Sequence, residues 1–290
     1  MFEKIIGNEE NKKMLEQIII NKKYSHSYIF VGQVGVGKFL FAKEFASRIL
    51  NNGNLSISEE NLTDLFIINP DGNSIKIEQI RDITKKITEK PIESDKKIYI
   101  INDSQTMTRE AQNSLLKTLE EPPEYAIIIL VASTEDYFLP TIKSRCATIN
   151  FEKLSKKEIS QILEKKHDNI NEKEILELAD GSAEKAIQLI NKQDEYMEII
   201  DIVNNLKEKD ILYFLSLKER LFKDKENAYE TLEYMNSILA KNMNNKIHDS
   251  YRYAKAIQSI EKAKNRLNKN SNYDMTIDDC LITLWEEFNG

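Results

Sequence analysis

The chain has 290 residues, of which 41% are apolar and 31% charged, with a formal net charge of −7. This is enough apolar material for a sizeable core spread over two or three domains, and the acidic balance argues against a stand-alone DNA-binding module, whose grip depends on Lys and Arg neutralising phosphates. Two distant cysteines, Cys146 and Cys280, with no partner at metal spacing, leave neither a disulfide framework nor a zinc site. The N-terminal stretch lacks the apolar core and cleavage site of a signal peptide, and no apolar run approaches the roughly 18 residues of a membrane span, so the cytoplasm is the expected location.

In chain order, the first strong signal is the apolar run "SYIFV" at 27–31, followed by "GQVGVGKF" at 32–39 and a helical repeat of Leu40, Phe41, Phe45 and Ile49. Further β-rich runs are "LFII" (65–68), "IYII" (98–101), "IIILVA" (127–132) and "ATINF" (147–151). Helical repeats lie between them: Ile77, Ile80, Ile83 and Ile87, then Ala111, Leu115, Leu116 and Leu119. Continuous apolar strands alternating with helices predict an α/β domain whose parallel sheet is covered on both faces.

All five prolines and six of the eight glycines precede residue 150, so the remainder reads as almost wholly helical. In "LSKKEI", Ser155 and Glu158 form a predicted capping box with Leu154 and Ile159 as the flanking staple, and "INEKEI" at 170–175 repeats the arrangement. Gly181 fits the left-handed position after a helix, and Ser182 can cap the next one. Near the C-terminus Tyr253, Ala256, Ile257, Ile260, Ala263 and Leu267 share one helix face, either a bundle core or a seam against another subunit. The expected division is 1–152, 153–194 and 195–290.

The stretch Gly32–Phe39 carries seven of the eight letters of a phosphate-binding loop, Gly-x-x-x-x-Gly-Lys, between a strand and a helix. The eighth should be Ser or Thr, whose hydroxyl ligates Mg²⁺, and is Phe39. A bulky apolar side chain there is expected to pack under the helix. With Gly32, Gly35, Gly37 and Lys38 intact, ATP or ADP binding without hydrolysis stays open.

After the strand at 98–101 comes "NDSQTMTREAQNSLLKTLEEPP", and later "FLPTIKSRC" at 138–146. Together these resemble the AAA+ subunits of the bacterial DNA polymerase III clamp loader, with patterns near Y-I-I-D-E-A-D-x-M-T, A-x-N-A-L-L-K-T-L-E-E-P-P and L-P-T-I-x-S-R-C. The resemblance implies a RecA-like AAA+ P-loop domain, a helical lid and an all-α C-terminal collar. It also implies that Arg145, beside Ser144, is an arginine finger reaching the γ-phosphate held by a neighbouring subunit. A planar, permanently charged guanidinium suits charge developing on a transferring phosphoryl group.

At the positions serving this chain's own nucleotide, the family pattern is broken. Asn102 stands where the metal-side Asp would be and Asp103 where the catalytic Glu would be; Thr134 replaces a sensor Asn, and Glu184 a sensor Arg. Amides are poor ligands for Mg²⁺. With Phe39, the losses resemble those of the delta-prime type, the non-hydrolysing member of the loader. "HSYIFVG", "DLFIINPDGNSIKIEQIRDI" and "IEKAKNRLNKN" carry that resemblance across most of the chain.

The resemblance implies gamma/tau-type ATPases and delta as partners in a hetero-pentamer. Through that complex the chain would meet the sliding clamp and primer-template DNA, as part of a holoenzyme with DNA-directed DNA polymerase activity. The cysteines of a zinc module found in many members are missing from 51–65, so no zinc is expected. The competing reading is an active gamma/tau-type ATPase.

Overall fold

The computed structural model describes residues 2–51, 62–163, 172–245, 249–269 and 271–289. It forms two compact units, Met1–Ile187 and Gln188–Gly290. Among the described residues no helix is long and apolar enough to cross a membrane.

The first unit is built on a five-stranded parallel sheet. Its strands are β1 (Ser27–Val31), β2 (Leu65–Ile68), β3 (Lys97–Ile101), β4 (Ala126–Ala132) and β5 (Ala147–Asn150), in the spatial order β2-β3-β4-β1-β5. Ser27 pairs in register with Ile128 and Tyr28 with Ala147, which places β1 between the two latest strands of the sheet.

Successive strand residues point to opposite faces, and the packing shows it. Tyr28, Phe30, Ile98 and Ile100 join one core under α1 (Glu9–Ile20) and α2 (Lys38–Leu50). Ile29, Tyr99 and Ile101 join a second core under α3 (Ile77–Lys86) and α4 (Arg109–Glu120). Burial on both faces explains why these strands are continuous apolar runs instead of alternating ones. The first core is knitted by aromatic rings, with Phe41 to Phe151 at 5.0 Å and Tyr28 to Phe45 at 5.4 Å between centroids. Each fully buried side chain of this size contributes about 1.5–3 kcal/mol over its exposed state.

In α2 the residues that face the sheet are Phe41, Phe45 and Ile49, whereas Leu40, one step round the helix, is 55% exposed. A spacing of four keeps the first three on one stripe; Leu40 falls about 100° away from Phe41.

Asp64, just before β2, is 3% exposed, and its carboxylate accepts from the amides of Ile92 (2.8 Å), Glu93 (2.9 Å) and Ser94 (2.9 Å) and from the Ser94 hydroxyl (3.0 Å). Burial pushes the carboxyl up, and these four donors more than offset it, so it titrates below an ordinary aspartate.

A short helix, α5 (Pro140–Lys143), lies just before β5, and past that strand come α6 (Lys156–Leu163), α7 (Glu172–Ala179) and α8 (Ala183–Asn191). The predicted capping box forms: the Ser155 amide donates to Glu158 Oε2 at 2.7 Å and the Glu158 amide to Ser155 Oγ at 3.3 Å. Leu154 and Ile159 are both buried in the staple positions. The second predicted box begins at 170 and 171, outside the described residues, as do 52–61 of the segment read as lacking a zinc module. Gly181 takes φ +84°, and the Lys185 amide donates to Ser182 Oγ at 3.1 Å, capping α8 as expected.

The second unit packs α9 (Gln193–Asn204), α10 (Ile211–Leu221), α11 (Lys225–Asn245), α12 (Ser250–Asn268) and α13 (Tyr273–Asn289) around Phe214, Leu217, Leu232, Leu239, Ile260, Ile277 and Leu281. Tyr253, Ala256, Ile260, Ala263 and Leu267 of α12 are buried in this core, with Ile257 half-buried at its margin. The stripe read from the sequence is thus used within the bundle. Lys264, also buried on α12, is held by Glu233 and by Glu261 at 3.0 Å.

Candidate functional site

The phosphate-type loop leaves β1 at Val31 and opens α2 at Lys38, with Val36 buried in the first core as its anchor. Its outer side is closed by the residues that start α8. The Ala183 amide donates to Gly35 O at 3.0 Å, and Gln33 Nε2 donates to Asp180 O at 3.0 Å. Gly35 has φ +80°, and a Cβ there would lie 2.1 Å from Ser182 Oγ and 2.7 Å from Glu184 Cβ. Only glycine fits both the left-handed backbone and the contact.

Lys38 is 7% exposed, and its Nζ donates to Gln33 O at 2.7 Å. Burial pulls the ammonium pKa down to about 8, partly resisted by the negative charges of Asp103 and Glu184. Asp103 and Glu184 therefore lie near Lys38, and Glu184 also lies against Gly35.

The remaining altered positions take other partners. Phe39 is half-buried and packs against the first core, with Lys43 Nζ 5.6 Å from its ring centre. Asn102 Nδ2 donates to Asn69 Oδ1 and to Asp103 Oδ2, both at 3.2 Å. Asp103 has φ +46° and begins a short turn, Ser104–Thr106, secured to the end of β4 where Ser104 Oγ donates to Val131 O at 2.8 Å and the Ser133 amide donates to Gln105 Oε1 at 3.2 Å. Thr134 is used in its own turn, donating to Asp136 Oδ2 at 3.0 Å and accepting from the Asp136 amide at 3.2 Å. Glu184 is exposed on the first turn of α8.

Arg145 lies elsewhere. Its carbonyl accepts from Ser27 Oγ at 2.8 Å, at the start of β1, whereas the loop leaves the far end of that strand. At about 3.3 Å per residue the two ends of β1 are roughly 13 Å apart. The guanidinium, one third exposed, donates from Nη1 to Thr141 O at 2.8 Å and to Ser144 Oγ at 3.2 Å, and its Nη2 pairs with Glu120 Oε1 at 2.7 Å. Beside it, burial raises the Cys146 thiol pKa to about 11, so this sulfur is held as the thiol.

Sequence reading missed Glu120 as the partner of Arg145, and the closure of the loop by 180–184. It also missed Asn8, whose side chain exchanges two hydrogen bonds with the backbone of Glu152, 2.9 Å from its amide and 3.3 Å to its carbonyl. The one local signal was the Gly7-Asn8 pair, since both residues adopt positive φ.

The family described as DNA polymerase III, delta subunit, matches residues 7–155. The delta' subunit of Bacillus subtilis is 34% identical over 197 residues, covering 64% of this chain and 60% of that protein. The tau subunit of the same organism is 30% identical over 266 residues, covering 82% of this chain but 46% of the relative's length. The chain thus spans about half to three fifths of these two relatives. A crystal structure of a gamma subunit-related protein of DNA polymerase III from Thermotoga maritima superposes with a TM-score of 0.61 at 20% identity, over 95% of this chain and 99% of that one, which establishes the shared fold. With a family match spanning half its length, the chain belongs to the DNA polymerase III delta-subunit family of clamp-loader proteins.

Proposed function

We propose that this chain is a delta-prime-like subunit of the DNA polymerase III clamp loader. In this reading it does not hydrolyse ATP and supplies Arg145 to the ATP held by a neighbouring gamma/tau-type subunit. The observation that carries the reading is the separation of Arg145 from its own loop by the length of β1, together with a side chain that stays one third exposed. An arginine so placed serves a phosphate outside its own pocket. The pocket itself lacks the catalytic parts: Phe39 offers no oxygen to Mg²⁺, Asn102 is an amide, and Lys38 is occupied by Gln33 O. The three-part division at 152/153 and 194/195, with lid and collar, belongs to the same proposal. So do delta, the sliding clamp and primer-template DNA as partners, and the absence of a zinc or nucleotide requirement.

An active gamma/tau-type ATPase is the second reading, favoured by the longer match to the tau subunit. The two separate in one assay. With Mg²⁺ and ATP the isolated chain should release no phosphate above buffer; turnover that disappears in Lys38→Ala would establish the active ATPase instead.

A further inference from the structure

We propose that Glu120 is a positioning residue for Arg145, an inference that rests on the finger role given to Arg145 above. Three of the five guanidinium donors are already used: both hydrogens of Nη1, on Thr141 O and Ser144 Oγ, and one of Nη2, on Glu120 Oε1. These bonds fix the plane of the group. Among the described residues Nε–H and the second Nη2 hydrogen take no acceptor, which leaves them for an anionic oxygen arriving from outside.

Helix electrostatics give no reason for a carboxylate at position 120. It is the last residue of α4, where the carbonyl ends carry partial negative charge, and a cation is the favoured occupant. Stability gives little reason either, since the Glu120 and Arg145 side chains are 49% and 33% exposed and such pairs contribute about 0–1 kcal/mol. What the pair does supply is orientation.

The two residues also sit on a common frame. Gln112 of α4, 3% exposed, accepts from the Leu139 amide at 2.9 Å and donates to Tyr137 O at 3.0 Å, binding the helix to the segment that leads into α5 and Arg145. A guanidinium held this way meets a phosphate without first being ordered, and small misplacements of such groups are costly in rate.

The test uses the loader reconstituted from this chain and its partner subunits, with Glu120→Ala, Glu120→Gln, Arg145→Ala and the Glu120→Ala/Arg145→Ala double variant. Glu120→Ala should lower kcat for ATP hydrolysis by about tenfold with KM unchanged. Glu120→Gln, which keeps an acceptor oxygen, should restore the rate to within about threefold of wild type. On the Arg145→Ala background, Glu120→Ala should have no further effect, which a merely structural role would not produce. If Glu120→Ala matches or exceeds the wild-type rate while Arg145→Ala is slow, the positioning role is wrong and the finger stands. If Arg145→Ala is itself fully active, the finger role fails and takes this inference with it.

Discussion

Lys38 Nζ donates to the carbonyl of Gln33, five residues back in the same loop, at 2.7 Å. The charge that would hold a phosphate is thus satisfied within the loop, and burial brings its pKa to about 8. Unfolded, the same lysine titrates near the ordinary lysine value of 10.5. Between those values the folded state binds fewer protons than the unfolded one, so stability from this group rises with pH across about 8 to 10.5 and is lowest below 8. In urea unfolding, the wild type should gain on the order of 2 kcal/mol relative to Lys38→Met between pH 7.5 and 10. Parallel pH profiles for the two proteins would remove the assignment.

Gly35→Ala should destabilise the first unit by about 1–3 kcal/mol, since the new Cβ meets Ser182 and Glu184 and the backbone is left-handed. Gly37 also has positive φ, but nothing lies within 4 Å of a Cβ there, so Gly37→Ala should cost less. Thermal unfolding of both variants side by side ranks the two; equal losses would mean that the contact with the start of α8 carries no weight.

Asp64→Ala leaves three backbone amides without their acceptor, and a loss of about 3 kcal/mol is expected. The pH dependence has the same sign as that of Lys38, stability rising with pH, but it falls in the acid range. Because the folded pKa is depressed, the stabilisation is complete above the unfolded value of 3.8 and disappears as pH falls through the lower folded value. Acid titration of Asp64→Asn, which cannot ionise, should lack this component; an unchanged acid limb would contradict it.

Arg145→Ala should leave assembly and melting temperature close to wild type, because its ion pair is partly solvated, while ATP hydrolysis by the reconstituted loader falls about 10³-fold. Arg145→Lys should recover little of that rate, lacking the planar fork. A loader with Arg145→Ala that hydrolyses at the wild-type rate would refute the trans role.

Much of the first unit was readable in advance because burial on both faces writes the interior strands β1, β3 and β4 as unbroken apolar runs, as at 27–31 and 126–132. The loop was readable because its glycines meet a backbone requirement and its lysine a charge requirement at fixed spacing. Leu40 was assigned to the wrong face because an apolar letter does not record which way a helix is turned. Glu120 was passed over for a different reason: its partner lies 25 positions later, and nothing local to "TLEEPP" distinguishes a paired carboxylate from a solvated one. The closure of the loop by Asp180 and Ala183 is likewise a meeting of segments almost 150 residues apart.

The strand order also sets a timetable for biosynthesis. β1, an interior strand of the sheet, is hydrogen-bonded to β4 and β5, and its registers join Ser27 to Ile128 and Tyr28 to Ala147. When "SYIFV" leaves the ribosome, neither neighbour has been made, and at about 5–20 residues per second the second arrives on the order of ten seconds later. Through that interval the most apolar stretch of the early chain has no native strand to pair with. Native pairing of this strand on both of its edges must therefore wait for residues near 150, and the nascent chain is most vulnerable to association with other chains before then.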